Sequence, residues 1–279
     1  ALIRAHGGAV LFAGDRYYWY GADGYRQPNA TDFSRRAPNR QINVYSSTDL
    51  YNWVRHDSPA FVMPCASTAR AAEGCYADRP KVIPAGLDGL YTMWLKATPF
   101  VAVAVASSPL GPFKLRARWR PEGLSVGDIG AFVDPHSRRG FLIYSVKPHP
   151  AGVKRVVRIS RMSADRLNVS SGAGSTSTIP LAREAPVLFY DAHRRRYLAW
   201  TSRSSGWRAN AAECFSAVDL LHGPWQSEGN PTQSSTSFES QATFILALPQ
   251  ADGRRSGRQR RFIYMADRCA LLTQIMRAR

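Results

Sequence analysis

Five times along this chain, a single polar residue is followed by a short apolar run, a turn, and a second run rich in aromatics. The copies read HGGAVLFAGDRYYWYG, DRPKVIPAGLDGLYTMWLK, DIGAFVDPHSRRGFLIYS, EAPVLFYDAHRRRYLAWTS and QATFILALPQADGRRSGRQRRFIYMAD. The runs are of strand length, and the residues between them are turn formers. The leading residues are His6, Asp78, Asp128, Glu184 and Gln241, spaced 72, 50, 56 and 57 residues apart. Behind the first four copies lie INVYSSTDLYNW (42–53), VAVAVASSPLGPFKL (101–115), VVRISRMSADRLNVS (156–170) and ANAAECFSAVDLLHGPW (209–225). Each reads as a third strand, a turn and an edge strand. The bulky residues Trp53, Phe113, Leu167 and Trp225 recur at one position and are expected to pack between units. A repeat of this length with several strands per unit predicts an all-β fold, a five-bladed β-propeller.

The repeat runs almost from end to end, so residues 1–279 read as one domain. Its fifth blade is cut short, because only ALLTQIMRAR follows YMADRC. Propellers remove their open edge by pairing first and last strands. A strand from the N-terminus, or a truncated end, accounts for the short blade. The polar stretches 170–180 and 228–240 each precede a leading residue and are expected as loops rimming the channel mouth.

The first strand of each propeller blade lines the central channel, so the five leading residues should share one polar cavity. Three of them are carboxylic acids, the groups a glycosidase uses. Glu184, at the strand entry Ala185-Pro186, is the candidate general acid. Asp128 would hold it or raise its pKa by like-charge repulsion. Asp78 either binds substrate or pairs with Arg79. His6 precedes Gly7-Gly8, where backbone or ligand can approach closely; it reads as a hydrogen-bonded structural residue or a ligand contact. Gln241 is a poor base and reads as substrate binding or packing. Gly123-Leu124-Ser125-Val126-Gly127 has the form G-x-S-x-G but lacks the strand and helix of a nucleophile elbow. It reads as the loop that delivers Asp128. The histidines show no metal spacing and the cysteines no CxxC pair, so neither a metal nor a cofactor is expected.

Composition changes the picture in three places. The net charge of +17 comes mostly from arginine. It suits an acidic polymer, or it belongs to exposed turn tips such as HRRR (193–196) and GRRSGRQRR (253–261). The second reading is favoured, because no nucleic-acid-binding motif accompanies the charge, and no specific nucleic-acid partner is expected. No apolar run reaches the roughly 18 residues of a membrane span. Cys65 and Cys75 flank a short loop and either form a disulfide or remain isolated thiols. The sequons Asn29-Ala30-Thr31 and Asn168-Val169-Ser170 point toward an extracellular or secretory location. The chain begins at Ala1 without a signal segment, as a mature or excised form would. No motif specifies an oligomeric state.

The stretches AHGGAVL…YYWYG, VYSSTDLYNW, DRPKV…YTMW, VASSPLGPF, GDIGAFVD…FLIYS, REAPVLFY, TSRSSGWRANAA, GPW, ESQATF and FIYMADR occur in order over nearly the whole chain. Together they resemble glycoside hydrolase family 43, in particular its exo-β-1,3-galactanase branch. The resemblance implies an inverting enzyme that releases galactose from the end of β-1,3-galactan in arabinogalactan-type glycans. It implies Glu184 as general acid. It also implies that Gln241 stands in for the missing base, as an amide or its imidic-acid tautomer. Asp78, Asp128 and the loop residues Ser205, Trp207 and Asn210 then contact sugar. His6 stands where many members place an aspartate base. Departures are Asp78, where the branch usually has glutamate, Ala22, where it tends to have glutamate, a shortened LKATPFVAVAV that lacks the branch's tyrosine, and the short fifth blade. They keep in play a catalytically weak propeller that binds galactan-like glycans, while the arginine-rich loops keep in play a polyanion-binding propeller.

Overall fold

The computed structural model describes residues 3–23, 39–66, 74–86, 89–147, 155–170, 174, 176–179, 182–205, 208–248 and 261–268. These form antiparallel sheets arranged as a propeller. Blade I holds β1 (His6–Ala13), β2 (Arg16–Ala22), β3 (Gln41–Ser47) and β4 (Val54–Arg55), with β5 (Phe61–Val62) also paired to β3. Blade II holds β6 (Asp78–Pro84), β7 (Tyr91–Ala97), β8 (Phe100–Ala106) and β9 (Lys114–Trp119). Blade III holds β10 (Ser125–Val133), β11 (Gly140–Lys147), β12 (Val156–Arg161) and β13 (Thr176–Ile179). Blade IV holds β14 (Arg183–Asp191), β15 (Arg196–Arg203), β16 (Glu213–Ala217) and β17 (Gln226–Gly229). A last sheet pairs β18 (Ser240–Ala247) with β19 (Phe262–Arg268). The expectation of five blades is therefore corrected, among the described residues, to four full blades and a two-stranded sheet. The inner strands close a ring: β1 packs beside β6, β6 beside β10, β10 beside β14, β14 beside β18, and β18 beside β1. Among the described residues, no helix is long and apolar enough to cross a membrane.

The apolar core lies between blades. Alternation along each strand puts one face against the preceding blade and one against the next. Tyr20 and Val44 of blade I meet Met93 and Leu95 of blade II, and Trp94 of blade II meets Ile129 and Tyr144 of blade III. Ile143 of blade III meets Leu188 and Phe215 of blade IV, and Val187 of blade IV meets Ile245 of the last sheet. Three of the recurring bulky residues fill these seams. Phe113 packs edge-on to Tyr20, Leu167 joins the Trp94 layer, and Trp225 donates its ring N–H to Ser177 of blade III. Trp53 instead packs against Trp19 of its own blade. The preceding sheet is the two-stranded one, which has no outer strand described for Trp53 to meet.

Several expectations change here. The stretch 170–180 contains the edge strand β13, in which Thr176 and Thr178 pair with Ser160 and Arg158 of β12. Residues 3–5 add no strand to the last sheet. Arg4 bonds through its backbone to Tyr45 and Asn43 within blade I. Cys65 and Cys75 form a disulfide and Cys214 is buried and free. Asn168 is exposed, while the Asn29 sequon, Cys269 and most of 253–261 lie outside the described residues. The 193–196 turn is at the end of β14 opposite Glu184, where Arg194 pairs with Glu228.

Gly21 is a packing requirement rather than a turn. A Cβ there would lie 2.1 Å from the Cα of Ala5. Backbone would have to move, so Gly21→Ala should lower stability by about 1–3 kcal/mol, read as an earlier urea midpoint with unchanged slope.

Candidate active site

Every inner strand is bulged near its start. The register breaks between His6 and Ala9, Asp78 and Lys81, Val126 and Ile129, Glu184 and Val187, and Ala242 and Phe244. A bulge bends the strand and re-aims a side chain. The residues after three of the leading positions take left-handed backbone: Gly7 at φ 64, Arg79 at φ 48 and Ala185 at φ 49. For Arg79 and Ala185 this conformation is strained, and strain of this kind persists only where the surroundings enforce it. The loop before Gln241 repeats the feature, with Ser237, Phe238 and Glu239 all at positive φ.

The re-aimed groups meet at one end of the channel and bond from blade to blade in a closed ring. His6 of blade I lies with Nδ1 3.6 Å from Asp78 Oδ1 of blade II. Lys96 of blade II donates to Asp128 Oδ1 of blade III at 2.8 Å. Asp128 Oδ2 accepts the Ala185 N–H of blade IV at 3.1 Å. Ser202 of blade IV accepts from Gln241 Nε2 of the last sheet at 3.0 Å, and that nitrogen lies 3.5 Å from Glu184 Oε1. Asp267 of the last sheet accepts the Gly7 N–H at 2.9 Å and lies 3.3 Å from His6 Nε2. Arg79 crosses the ring, reaching Asp128 through Nε at 2.9 Å and Gln241 Oε1 through Nη2 at 2.5 Å. It pairs with Asp128 and not with its chain neighbour Asp78. The Asp78 carboxylate instead takes the Arg79 backbone N–H and the Tyr76 hydroxyl, both at 2.8 Å.

These contacts split the carboxyls into two kinds. Burial alone would raise Asp128, but the charges of Arg79 and Lys96 outweigh it and hold the carboxyl well below its ordinary range. Asp78 is likewise lowered, with His6, Lys96 and Arg79 overcoming burial. Glu184 goes the other way. Burial and then the charge of Asp128 push it up to about 7. Near pH 6 Glu184 is therefore largely protonated while Asp78 and Asp128 are ionised, the separation that acid–base chemistry needs. Burial also raises Asp267. His6 is raised despite its burial, because Asp78 and Asp267 flank it.

Ser205 and Asn210 are near the entry to β16, with their polar atoms engaged within the loop. Ser205 Oγ donates to Arg208 O, and Asn210 Nδ2 donates to Ser205 Oγ and Arg203 O. Trp207 lies outside the described residues. No cluster able to hold a metal occurs among the described residues. Sequence reasoning gave no role to Lys96, Ser202 or Asp267, and offered the Arg79 side chain only as a partner for Asp78. A signal existed: Lys96, Ser145, Ser202 and Asp267 all end the aromatic second strand of their repeats. Register places Lys96, Ser202 and Asp267 opposite Asp78, Glu184 and Gln241, and Ser145 Oγ accepts the Asp128 N–H.

The opposite mouth of the channel is an apolar cavity of about 250 Å³, lined by the far halves of the inner strands. Among the described residues, its lining holds no carboxyl group. The buried Lys81, lowered to about 7 by burial and by Arg79, separates it from the polar end by donating to the carbonyls of Gly7 and Pro80.

A propeller with an ionised and a protonated carboxyl at one channel mouth is a glycosidase-type arrangement. Solved structures bear on the kind. The exo-β-1,3-galactanase of Phanerochaete chrysosporium, as a Glu-to-Gln variant with β-1,3-galactotriose, matches at 29% identity and a TM-score of 0.78, over 98% of this chain and 59% of that one. The exo-β-1,3-galactanase of Clostridium thermocellum matches at 26% identity and a TM-score of 0.74, over 96% and 56%. A family 43 β-1,3-galactosidase with bound galactodeoxynojirimycin matches at 26% identity and a TM-score of 0.73, over 95% and 90%. The chain thus spans less than two thirds of the first two proteins. No family model matches the sequence, and no curated protein sequence matches it. The resemblance to glycoside hydrolase family 43 is found again in three dimensions, and the neighbours support a glycoside hydrolase.

Proposed function

We propose that the chain is an inverting exo-β-1,3-galactanase that releases galactose from the end of β-1,3-galactan. The carrying observation is Glu184, raised to about 7 next to an Asp128 held ionised. Glu184 protonates the leaving oxygen, and Gln241 positions the attacking water, whose proton is released to solvent. Asp78 and Asp128 hold sugar hydroxyls, with His6, Ser205, Trp207 and Asn210 completing the contacts. Inversion is supported because both ionised carboxylates are already committed, Asp128 to two cations and Asp78 to two donors. Such commitments weaken each as a nucleophile and favour direct attack by water. The Cys65–Cys75 disulfide supports an extracellular or secretory setting, where such bonds persist.

The test is incubation with β-1,3-galactan, with the anomer of released galactose followed by proton NMR. α-Galactose as first product supports the reading. Retained β-configuration rejects inversion. Bound galactan without turnover would favour a glycan-binding propeller. Rate should fall as pH rises through about 7, because Glu184 then loses the proton it must donate. A pH profile of kcat/KM that stays flat from 5 to 9 would remove Glu184 from the role. The same group affects stability in the same direction. Its folded pKa exceeds the unfolded 4.5, so its favourable contribution is lost as pH rises toward and through 7.

A further inference from the structure

We infer that Arg79 is a positioning residue that locks Gln241 as an amide, its oxygen held by the guanidinium and its NH2 group turned toward Glu184. The inference rests on the reading of Glu184 as the acid. Arg79 is 5% exposed, enters from blade II in left-handed backbone, and commits three donors to three acceptors. Nη2 reaches Gln241 Oε1 at 2.5 Å, Nη1 the Ala242 carbonyl at 3.1 Å, and Nε Asp128 Oδ1 at 2.9 Å. A guanidinium only donates and stays protonated. The Gln241 atom that meets it must therefore be the oxygen. Nε2 is then left to donate to Ser202 Oγ at 3.0 Å and to face Glu184 Oε1 at 3.5 Å.

Two consequences follow for chemistry. An imidic acid carries its proton on the oxygen and gains a basic nitrogen. A cation against that oxygen stabilises the amide's partial negative charge and works against the tautomer. An amide nitrogen has no lone pair to offer, so Gln241 orients and donates and does not take the proton of the attacking water. Second, Glu184 Oε1 faces a donor, so the acid proton belongs on Oε2. The charged groups acting on Glu184 are Asp128, Arg155, Arg79 and Lys96, and none of them donates to Oε2.

The experiment uses NMR on the full chain and needs no turnover. In protein labelled with 15N-glutamine, Gln241 should give a two-proton amide pair from pH 5 to 8, assigned by its loss in Gln241→Glu. A one-proton N–H signal overturns the inference. With a 13C-labelled carboxyl, Glu184 should titrate about one pH unit or more higher in Gln241→Glu than in the parent. That variant keeps the Arg79 contact but sets a carboxylate oxygen where the donor was. An unmoved midpoint overturns the inference. Arg79→Lys keeps a cation for Asp128 but loses the fork, so solvent exchange of the Gln241 amide protons should speed at least about tenfold. Unchanged exchange in a folded Arg79→Lys also overturns it. A parent chain that fails to hydrolyse galactan yet shows the amide pair and the raised midpoint defeats the hydrolase reading and leaves the clamp standing.

Discussion

Glu184→Gln should cut hydrolysis of β-1,3-galactan by on the order of 10²–10⁴-fold, the usual contribution of a general acid. The substitution keeps the shape of the side chain and removes its proton donor. A sugar alkoxide is a poor leaving group and needs that proton. An activated aryl galactoside leaves without it, so its loss should be much smaller. Binding of galactobiose, measured by calorimetry, should survive, because the Asp78 and Asp128 carboxylates are untouched. The alkaline limb near pH 7 should vanish with the titrating group. Equal losses on both substrates would show that the variant disturbs the site in another way and would defeat the assignment.

Asp128→Asn should be the most destabilising conservative change at the channel mouth. Asp128 is 8% exposed and accepts from Arg79, Lys96 and the Ala185 N–H at once. An asparagine is isosteric but neutral, and its NH2 group would meet a donor on at least one side. Two buried cations lose their counter-charge, and breaking a buried pair in this way costs about 3–5 kcal/mol. Glu184 should shift as well. With the Asp128 charge gone, only burial holds it up while Arg155, Arg79 and Lys96 pull it down, so the alkaline limb should move to lower pH. Urea unfolding reads the first effect and a pH–rate profile the second. Stability within about 1 kcal/mol of the parent would show that Arg79 and Lys96 find other partners.

Gln241 sets the chemical character of the site. A carboxylate there, next to Glu184, would push the acid further up. The amide avoids that and still satisfies Arg79 and Ser202. The structure thus accounts for an apparently weak residue at a leading position.

The repeat was legible in the chain itself. Alternation, turn chemistry and the offset of a polar residue before each apolar run are local properties, set by backbone period and steric preference. They located His6, Asp78, Glu184 and Gln241 at or one residue inside the starts of β1, β6, β14 and β18, but placed Asp128 after a loop where β10 already begins at Ser125. They also set the seam positions of Phe113, Leu167 and Trp225. What they did not contain was the partner of each charge. Asp78 and Arg79 are adjacent in sequence, yet the bulge after Asp78 turns the guanidinium across the channel to Asp128 and Gln241. Lys96, Ser202 and Asp267 each lie opposite a leading residue of their own sheet but serve the next blade. That choice depends on how one sheet is rotated against its neighbour, which no local pattern encodes. β13 was hidden for a related reason. A short polar edge strand has no alternation of its own and forms only because β12 offers it an unpaired edge. The sequence by itself determined the repeat and the residues that open each unit. Only the tertiary structure decided which of them are ionised, because burial and cross-blade charge, not identity, set the proton affinity of a carboxyl.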